Sequence, residues 1–418
     1  MCNYATIGHL YRQTVNEWYE KTVDEDGPKP SMAMSDFGMR GMSCLEDSIR
    51  TSAAWLLSFD KTSTIPAIKF IQDYYHAKSN IGMGAISTEH SVMGANCSLD
   101  GDEITFVKKL LTELYPNASF SMVSDTYDYW NMIKNILPQC KEEILKHNGK
   151  MLIRPDSGDI VEISTGKHIE TFDADNFLEY AYDYLDEYIR DNELEEDLDM
   201  IIKHKDKYYR ATGSIDIGRE RGGYTDSNYY YIEGLNKYDF KLEEYELTPE
   251  DKGTIWTLWD TFGGTINSKG YKVLNPHIGL IYGDGCTLDR VKEIYARLEE
   301  QGFAASNIIF GVGAFCFHAF FENGRMIVST RDTFGIAMKA TCGTIGDQNI
   351  FIYKDPKTDK DSLKKSHKGC CAIFKDENGK FYCTDKHEEP VDCEFVEVFF
   401  EGTITGTDFE EVRGRLNK

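Results

Sequence analysis

The eleven cysteines of this sequence include no CxxC pair, and only Cys370 and Cys371 are neighbours. Neither a zinc ribbon nor a framework of disulfides is therefore indicated, and the pattern favours reduced thiols in a cytoplasmic protein. Apolar runs long enough to span a membrane are also missing, and the opening residues, MCNYATIGHLYRQ, contain no apolar signal segment. From these absences we expect a soluble, intracellular protein.

Basic residues are scarce relative to acidic ones. The chain has 46 lysine and arginine residues against 70 aspartate and glutamate residues, a formal net charge of -24 over 418 residues. Such a charge repels nucleic acids and anionic membrane surfaces, so neither is expected as a partner. Any phosphate group must therefore bind in a local basic pocket.

Four short apolar runs indicate the fold class. They cover residues 120–123, 151–153, 280–282 and 308–310, and each is followed by a polar or glycine loop and then by an amphipathic pattern. This alternation is typical of α/β folds, in which ligand-binding residues follow the carboxyl ends of parallel strands. The sequence therefore predicts an α/β fold with its site at that edge of the sheet.

Residues 162–253 interrupt this alternation. The stretch from Asp173 to Asp199 holds twelve carboxylates and a single arginine, with tyrosines between them. This acidic, tyrosine-rich insertion is either a solvated helical excursion whose tyrosines pack on the body or a surface for a partner or a second subunit.

The rest of the chain divides as follows. We expect residues 34–400 to form the main domain, and residues 1–33 to be the remnant of an upstream domain. Residues 370–418 should form a hairpin and tail packed on the body, because Asn378-Gly379 lies between two alternating apolar stretches.

Three carboxylates follow predicted strand ends and point to the ligand. These are Asp125 in VSDTYD, Asp156 in IRPDSGD and Asp284 in YGDG. Carboxylates in this position suit a polyhydroxyl ligand or Mg²⁺ with phosphates. After the fourth run, Gly311 and Gly313 expose backbone amides that can form a phosphate nest.

A series of basic residues near the end of the chain completes this pattern. Carboxylates for a sugar together with separate cations describe a site for a ribose that carries phosphates. Solvated lysines are the simpler interpretation for the last two members of the series, which lie in the charged stretch KDPKTDKDSLKKSHKG. The series is Arg331, Lys339, Lys354 and Lys364.

Several multi-residue motifs occur in an order that resembles the nicotinamide phosphoribosyltransferases, within the type II phosphoribosyltransferase family. The resemblance implies an irregular (β/α) barrel and a homodimer with shared active sites. It also implies transfer of 5-phosphoribosyl from phosphoribosyl pyrophosphate to nicotinamide, with Mg²⁺, in NAD biosynthesis. The motifs are DFGMRG, STEHSV, VSDTYD, IRPDSGD, NSKGYKVL, GDG, FGVG, TRD and YKDP.

The resemblance also implies roles for individual residues that would hold the base and the ribose. Phe37 would stack on the pyridine ring and Arg154 would hold the carboxamide. Asp156 and Asp284 would bind the ribose hydroxyls, the latter in the turn that contains Gly283. Asp125 would lie nearby, although it is also placed to cap the following helix.

The phosphate-binding roles fall on cations and on one glycine. Arg40 would reach the phosphates, Gly313 and Arg331 would hold the 5-phosphate, and Lys339 and Lys364 would hold the pyrophosphate or the tail of ATP. Other lysines near Lys364 fit that role as well.

One histidine is implied to take part in covalent chemistry. His90 would be phosphorylated by ATP to favour product formation, a role that suits an imidazole near neutral pH. A hydrogen-bonded structural histidine is the simpler alternative.

Three departures from the family pattern are visible. Ser63 stands where the family has an aspartate that accepts from the carboxamide, which leaves nicotinate as the alternative substrate unless Asp60 substitutes. In the phosphate loop, Ala314 replaces a glycine and Ala337 a serine, so we expect weaker phosphate binding.

The third departure is that the family's N-terminal region, with its sheet domain and its second aromatic for the base, is expected to be missing. A non-catalytic nucleotide-binding subunit is therefore a further alternative. A glycoside hydrolase barrel would explain the paired carboxylates but not the basic residues.

Overall fold

The apolar runs of the sequence form strands of a single parallel sheet. A computed structural model describes residues 1–78, 81–181, 183–185, 188, 198–213, 217–218, 231–232, 241–322, 325–328, 339–359, 364–397, 399–404 and 409–416. The four predicted runs fall within the last four strands of this sheet. The sheet strands are β1 (Met34–Asp36), β2 (Lys61–Thr62), β3 (Ile86–Ser87), β4 (Phe120–Val123), β5 (Met151–Arg154), β6 (Ile278–Tyr282) and β7 (Ile308–Val312).

The strand order makes this sheet curl into a barrel. The order is β2-β1-β7-β6-β5-β4-β3, and all pairs are parallel. A parallel bridge between Lys61 of β2 and Met83, just before β3, links the two edges. The predicted irregular (β/α) barrel is therefore confirmed, and its parallel strands place all their carboxyl ends at one mouth.

Helices follow the sheet strands and cover the outside of the barrel. In the helix Leu288–Glu300, Val291, Ile294, Tyr295 and Leu298 form the buried face. Among the helices in the described ranges, none is long and apolar enough to cross a bilayer. The other α-helices are Cys2–Thr22, Leu45–Trp55, Ile65–Tyr75, His90–Asp100, Glu103–Lys109, Tyr129–Asn131, Leu137–Gln139, Lys141–Lys146, Ile160–Thr165, Pro249–Phe262, Ala314–His318 and Phe409–Leu416. Short 3₁₀ turns cover Pro30–Met32, Met39–Gly41 and Ala305–Asn307, and π-helical turns cover Leu110–Leu114 and Met132–Ile136.

The first helix, Cys2–Thr22, belongs to the same hydrophobic core as the barrel. Tyr11, Val15 and Tyr19 are buried on its inner face. The hydroxyl of Tyr11 donates to the carbonyl of Cys286, 2.8 Å away, just after β6. The helix is thus fixed to the barrel by both apolar packing and a buried hydrogen bond.

The acidic insertion leaves and rejoins the barrel at two glycines. Gly166 and Gly253 both have positive φ angles, of 84° and 76°. A Cβ atom on Gly253 would lie 2.2 Å from the nitrogen of Gly166, and one on Gly166 would lie 2.1 Å from the oxygen of Asp251. Only glycine permits this close backbone contact, which brings the two ends of the insertion together.

Inside the insertion, the described residues form a small sheet with a hydrophobic cluster of its own. Tyr184 packs against Phe172 and Phe177 in this cluster, not against the barrel. Tyr180 is exposed. The idea that the tyrosines pack on the body is therefore wrong for Tyr184. The strands are Ile169–Thr171, Leu198–His204, Lys207–Gly213 and Lys241–Glu244, and a separate pair joins Ile217–Gly218 to Tyr231–Ile232.

The predicted C-terminal hairpin is confirmed. Its strands are Cys370–Lys375 and Phe381–His387, and the turn lies at Asn378-Gly379, where Gly379 has a φ of 78°. Other antiparallel pairs join Gly264–Ile266 to Lys272–Leu274, Ala319–Glu322 to Arg325–Val328, Cys342–Ile345 to Gln348–Phe351, and Phe399–Phe400 to Thr403–Ile404.

Candidate active site

Most of the predicted site residues follow directly after sheet strands, at the mouth of the barrel. Phe37 follows β1, His90 follows β3 and Asp125 follows β4. Arg154 ends β5, and Asp284 follows β6. The chemically distinctive residues of distant sequence segments therefore meet in one place.

His90 lies at the centre of a group of charged side chains. Its Nε2 atom is 2.7 Å from Lys354 Nζ, 3.4 Å from Asp156 Oδ2 and 3.8 Å from Asp125 Oδ1. Its Nδ1 atom is 3.1 Å from Thr126 Oγ1. These contacts bring one cation and two carboxylates to the same nitrogen of the imidazole ring.

Lys354 is buried, so the interpretation of this residue as a solvated lysine is wrong. It is 6% exposed, and its Nζ lies 3.8 Å from Asp125 Oδ2 and 3.9 Å from Asp156 Oδ2. Burial lowers the pKa of Lys354, against the attraction of these two carboxylates. The positive charge is held in place by its neighbours and not by water.

Asp125 is the most deeply buried acid of the group, at 0% exposed. Its Oδ2 atom accepts a hydrogen bond from Ser157 Oγ, and Ser157 also contacts Thr358. Its Oδ1 atom has no hydrogen-bond partner in the described part of the chain. The alternative role of Asp125 as a helix cap is wrong, because the cap of Tyr129–Asn131 is Asp128.

Asp156 and Asp284 are joined by one lysine. Lys364 Nζ donates to the backbone oxygen of Asp156 and to Asp284 Oδ2. Burial works to raise the pKa of Asp156, but contact with His90 and the charges of Lys354 and Lys364 outweigh it and hold that pKa well below its usual range. Asp156 is therefore ionised throughout the neutral range.

The loop IRPDSGD, which contains Asp156, is shaped by a glycine turn and a helix cap. Gly158 has a φ of 83°, which turns the chain sharply after β5. Asp159 then caps the helix Ile160–Thr165 by accepting from the amides of Val161 and Glu162. Arg154, Asp156 and Ser157 are left facing the mouth, where their contacts lie.

Arg154 has one donor without a partner. Its NH2 group donates to the Thr88 oxygen at 2.6 Å and lies 3.6 Å from Glu89 Oε1. Its Nε is buried and has no hydrogen-bond partner among the described residues. A buried donor without an acceptor costs free energy, so Arg154 Nε marks a position for an acceptor atom of a ligand.

Phe37 rests on glycine backbone. A Cβ atom on Gly311 would lie 2.2 Å from the ring, and one on Gly283 would lie 3.3 Å from it. No second aromatic ring stacks on Phe37 within the described ranges. The ring is half-buried, with one face on these two strand ends.

The loop that follows β2 is tied to the loop that follows β1. The carboxylate of Asp36 accepts from the Gly38 amide at 2.8 Å and from the hydroxyls of Thr62 and Thr64 at 2.8 and 2.9 Å. Ser63, between these threonines, is exposed and donates its hydroxyl to the Asp36 backbone oxygen at 3.0 Å. Asp36 therefore positions both Phe37 and Ser63.

Asp60 does not take the place of the missing pocket aspartate. Its Oδ2 atom accepts from Ser31 Oγ at 2.5 Å, and Ser31 lies before β1. Since Asp60 also precedes β2, its carboxylate is engaged at the opposite end of these parallel strands. Ser63 remains the polar residue at the mouth.

The predicted phosphate-binding residues are less tightly grouped. The space around Gly313 is open, and Arg40 and Lys339 are exposed. Lys339 is close enough for its charge to contribute to the lowered pKa of Lys354. Arg331 lies outside the described residues.

Of the two alanines that depart from the family pattern, Ala337 also lies outside the described residues. The methyl group of Ala314 faces Gly41, where an added Cβ would be 2.6 Å away. Ala314 is buried in that contact. The weaker phosphate binding expected from these two alanines stays a prediction.

Comparison with known proteins bears on this geometry. Residues 32–191 and 243–391 match the model of the nicotinate phosphoribosyltransferase (NAPRTase) family. The chain belongs to this family.

Its curated relatives carry the name of the nicotinamide enzyme. The chain is 29% identical over 420 residues to a nicotinamide phosphoribosyltransferase of Acinetobacter baylyi, covering 99% of this chain and 66% of the relative. It is 30% identical over 328 residues to the protein of that name from Mycoplasma pneumoniae, covering 78% and 50%. For Xanthomonas campestris pv. campestris the identity is 25% over 378 residues, covering 89% and 58%. The chain thus spans between half and just under two-thirds of these relatives.

Sequence reasoning missed several polar residues of the NAPRTase-family site. The Thr126 hydroxyl contacts His90, the Ser157 hydroxyl donates to Asp125, and the Thr358 hydroxyl contacts Ser157. Ser157 and Thr126 adjoin the motif acids, which is a usable signal. Thr358 is brought in by the fold from a stretch of lysines and acids, and nothing local distinguishes it.

The carboxylates at the mouth fit the Mg²⁺ expected for this family. Asp125 Oδ1 is buried without a hydrogen-bond partner among the described residues, and the Asp284 side chain is 52% exposed. Anionic oxygens are the donors that Mg²⁺ prefers, usually together with substrate phosphates. When bound with substrate, the ion would neutralise phosphate charge.

A separate cavity of about 1090 Å³ lies behind this site. Tyr127 and Tyr353 line it, and they adjoin Thr126 and Lys354 in the chain. None of the candidate catalytic side chains lines this cavity, so we assign the chemistry to the barrel mouth and not to the cavity.

Proposed function

We propose that this chain transfers the 5-phosphoribosyl group of phosphoribosyl pyrophosphate to nicotinamide, for NAD biosynthesis. The products are nicotinamide mononucleotide and pyrophosphate. The observation that carries this proposal is the group formed by His90, Asp125, Asp156 and Lys354 at the barrel mouth, with Lys364 on Asp284 beside it. The names of the relatives support nicotinamide as the base.

The base would bind between β1 and β5. Phe37 offers a ring supported from below by the Gly311 backbone, so a pyridine can stack on its other face. The unpartnered Nε donor of Arg154 is suited to the carboxamide oxygen. Stacking and one directed hydrogen bond fix the ring nitrogen for attack.

The ribose would lie over the acids of β5 and β6. Asp156 is ionised, so its carboxylate can accept from vicinal hydroxyls, and Asp284 does the same from the adjacent loop. The bond from C1 to the pyrophosphate oxygen breaks while the ring nitrogen forms its bond to C1. The positive charge that develops on the sugar is stabilised by these carboxylates.

The departing pyrophosphate would be held by the cations at the rim. Lys364 already bridges the two ribose-binding loops, and Lys339 and Arg40 are exposed toward solvent. We include Arg331 and Gly313 as ligands of the 5-phosphate. Mg²⁺, held through Asp125 and Asp284, would neutralise the leaving group, which is the chemistry that this ion supplies.

We further propose that His90 is phosphorylated by ATP, so that an N–P bond to the terminal phosphate forms while its bond to ADP breaks and ADP leaves. Nε2 of His90 lies 2.7 Å from Lys354 Nζ within the charged group, so we assign it as the nucleophilic nitrogen. The negative charge of the phosphohistidine would lie next to the Lys354 ammonium. An acid-labile phosphopeptide containing His90, formed with ATP and absent from His90→Asn, is the expected result.

The active unit is proposed to be a cytoplasmic homodimer with shared sites. All eleven cysteines are free thiols, as suits a reducing compartment, and the exposed face of Phe37 is available to a ring from a second subunit. Light scattering on the purified chain would measure two copies per particle if this is right. A monomer with full activity would contradict it.

The decisive experiment supplies the purified chain with phosphoribosyl pyrophosphate, Mg²⁺ and either base, with and without ATP. Mass spectrometry identifies the mononucleotide. We expect nicotinamide mononucleotide, and its loss in Lys364→Ala but not in Lys365→Ala, since Lys365 pairs with Asp355 on the exposed side. No product with any base would favour a non-catalytic nucleotide-binding subunit.

Nicotinate is the second candidate base. Ser63 offers a hydroxyl and no carboxylate near the base position, so a negatively charged substrate meets less repulsion there. The family model is also named for the nicotinate enzyme. Ser63→Asp should raise the ratio of kcat/KM for nicotinamide to that for nicotinate, and Ser63→Ala serves as its control.

A further inference from the structure

The C-terminal hairpin brings together a second set of chemically distinctive side chains. His367, Cys371 and Cys383 each offer one ligand atom, and these three atoms all lie within 4.8 Å of one another. Among the described residues, this is the one group of histidine, cysteine and acidic side chains near enough to share a metal ion. The spacing contains no CxxC pair, so the sequence alone does not indicate this group.

The hairpin itself creates the pair of cysteines. Ile373 pairs with Cys383 across the two strands, and the register shifts between Cys370 and Ala372. The extra residue of this bulge is in the second strand, where Asp385 and Lys386 lie opposite Cys371 and Lys386 has a φ of 67°. Cys371 lies two residues before Ile373 on the same face of the strand, so it is a diagonal neighbour of Cys383. Bulges of this kind are frequent beside functional sites.

The histidine reaches the cysteines through a tight glycine turn. Gly369 has a φ of 78°, and a Cβ atom there would lie 3.1 Å from His387 O. His367 Nδ1 is 3.3 Å from Asp385 Oδ2, and the same oxygen accepts from the Lys368 amide at 3.3 Å. A carboxylate that orients the imidazole is the usual companion of a metal-binding histidine.

We propose that His367, Cys371 and Cys383 bind a zinc ion, with Asp385 positioning the His367 ring and water in the fourth place. Two thiolates and one imidazole favour zinc over the hard cations Mg²⁺ and Ca²⁺. Tetrahedral zinc holds such ligand atoms about 3.3–3.8 Å apart, so the group needs only a small closure. Both thiols lose their protons to solvent when the ion binds.

The bound ion would brace the segments that carry the lysines of the barrel mouth. Ser366, next to His367, accepts from the Lys354 amide at 2.8 Å and donates its own amide to the Lys354 oxygen at 3.0 Å. Thr341 Oγ1 lies 3.5 Å from Cys371 Sγ. Zinc therefore ties the strand next to Lys339 and the loop next to Lys364 to one hairpin.

A neighbouring cysteine provides the matched control. Cys370 adjoins Cys371 in the chain, but its thiol makes a hydrogen bond with Cys342. Cys370→Ser therefore replaces a cysteine sulfur in the same strand without removing a ligand of the proposed ion.

The test uses the full-length chain, reduced and freed of metal, and titrates it with Co²⁺ and then with Zn²⁺. We expect one equivalent of Co²⁺ to give thiolate-to-cobalt absorption and tetrahedral bands, which Zn²⁺ then removes. Cys371→Ser and Cys383→Ser should lose this signal, and Cys370→Ser should keep it. Asp385→Asn should weaken the affinity by about 10- to 100-fold.

Hydrogen exchange supplies a readout that is independent of catalysis. Zinc should slow amide exchange in residues 364–371 of the wild type and of Cys370→Ser, but not of Cys371→Ser. Metal uptake by the reduced wild type that does not exceed uptake by Cys371→Ser would overturn the proposal. So would a Cys371–Cys383 disulfide in the isolated chain that takes up no metal after reduction.

Discussion

Charged side chains at the barrel mouth and in the acidic insertion are of the same types but are held in different ways. At the mouth, Lys354 is 6% exposed and lies within 4 Å of Asp125 and Asp156. In the insertion, Arg210 makes two hydrogen bonds to Asp199, at 2.6 and 2.8 Å, but these side chains are 37% and 45% exposed. The insertion has the better hydrogen-bond geometry, and the mouth has the greater burial.

Hydrogen-bond geometry alone therefore does not rank ion pairs by their contribution to stability. Exposed pairs compete with water and salt, and their net contribution is small even when the distances are short. Buried charges have already lost their hydration, so removing one partner leaves the other without compensation. The mouth is therefore the part of the molecule where single charge changes should matter most.

The largest effect is expected from Lys354→Met. This change leaves Asp125, at 0% exposed, without its cation, and should lower the free energy of unfolding by about 3–5 kcal/mol. Urea unfolding of the two proteins measures the difference. Lys365→Met, in an exposed pair with Asp355, is the control and should change little.

A double variant separates lost charge compensation from lost packing. Lys354→Met combined with Asp125→Asn should recover part of the stability, because the uncompensated carboxylate is gone. A double variant less stable than the sum of the two single changes would mean that packing, not charge, sets the cost.

The next effect tests whether the insertion has an independent core. Leu185 is 0% exposed in the cluster with Phe177, and Leu185→Ala should destabilise that cluster by about 2–5 kcal/mol. Protease should then cut the insertion faster while phosphoribosyl transfer continues. Leu178→Ala, at a position 52% exposed, is the matched control. Loss of transfer activity in Leu185→Ala alone would show that the insertion supports the mouth.

The pH dependence of stability tests the buried charge of Asp156. Because the folded state lowers the pKa of Asp156, its ionised form contributes stability above its unfolded pKa, and this is lost as the pH falls through the folded value. The advantage of wild type over Asp156→Asn in unfolding experiments should stay constant from neutral pH to about pH 4 and shrink below that. An advantage that declines already between pH 7 and pH 5 would contradict the assignment.

A smaller effect is expected at the two glycines whose backbone supports the Phe37 ring. In Gly311→Ala the new methyl group would lie 2.2 Å from the Phe37 ring, so the ring must move, at a cost of about 1–3 kcal/mol in base binding. Gly283→Ala, with 3.3 Å to the same ring, should have a milder effect. Steady-state kinetics should therefore give KM values for the base that rise from wild type to Gly283→Ala and rise again to Gly311→Ala. Equal KM values in all three proteins would show that Phe37 does not bind the base.

Sequence patterns predicted the barrel better than the insertion. The runs that became β4 to β7 are apolar on both faces, as buried parallel strands must be, and this pattern is local. The insertion strand Lys207–Gly213 carries charged and tyrosine residues, so its sheet gave no such signal. It forms a local hairpin with Leu198–His204 through a two-residue turn, but its other edge pairs with Lys241–Glu244, which is a non-local contact.

The candidate site divides in a similar way. His90, Asp125 and Asp156 lie in motifs next to strand ends, so both the fold and the resemblance located them. The burial of Lys354 was not predictable, because its segment reads as a charged loop and only tertiary packing removes it from water. The cluster of His367 and Cys371 was missed for the same reason, since pairing across the hairpin and not a spacing rule brings the ligands together.

The smallest effect is expected in the pair with the best hydrogen-bond geometry. Arg210→Met removes both hydrogen bonds to Asp199, yet the pair is more than one-third exposed, so the free energy of unfolding should fall by less than about 1 kcal/mol. A double-mutant cycle with Asp199→Asn, run at low and high salt, isolates the pair from the lost side-chain packing of Arg210 over Tyr245. The coupling should shrink further at high salt, because screening reaches an exposed pair. A salt-independent coupling as large as that of Lys354 with Asp125 would show that two well-directed hydrogen bonds can outweigh burial.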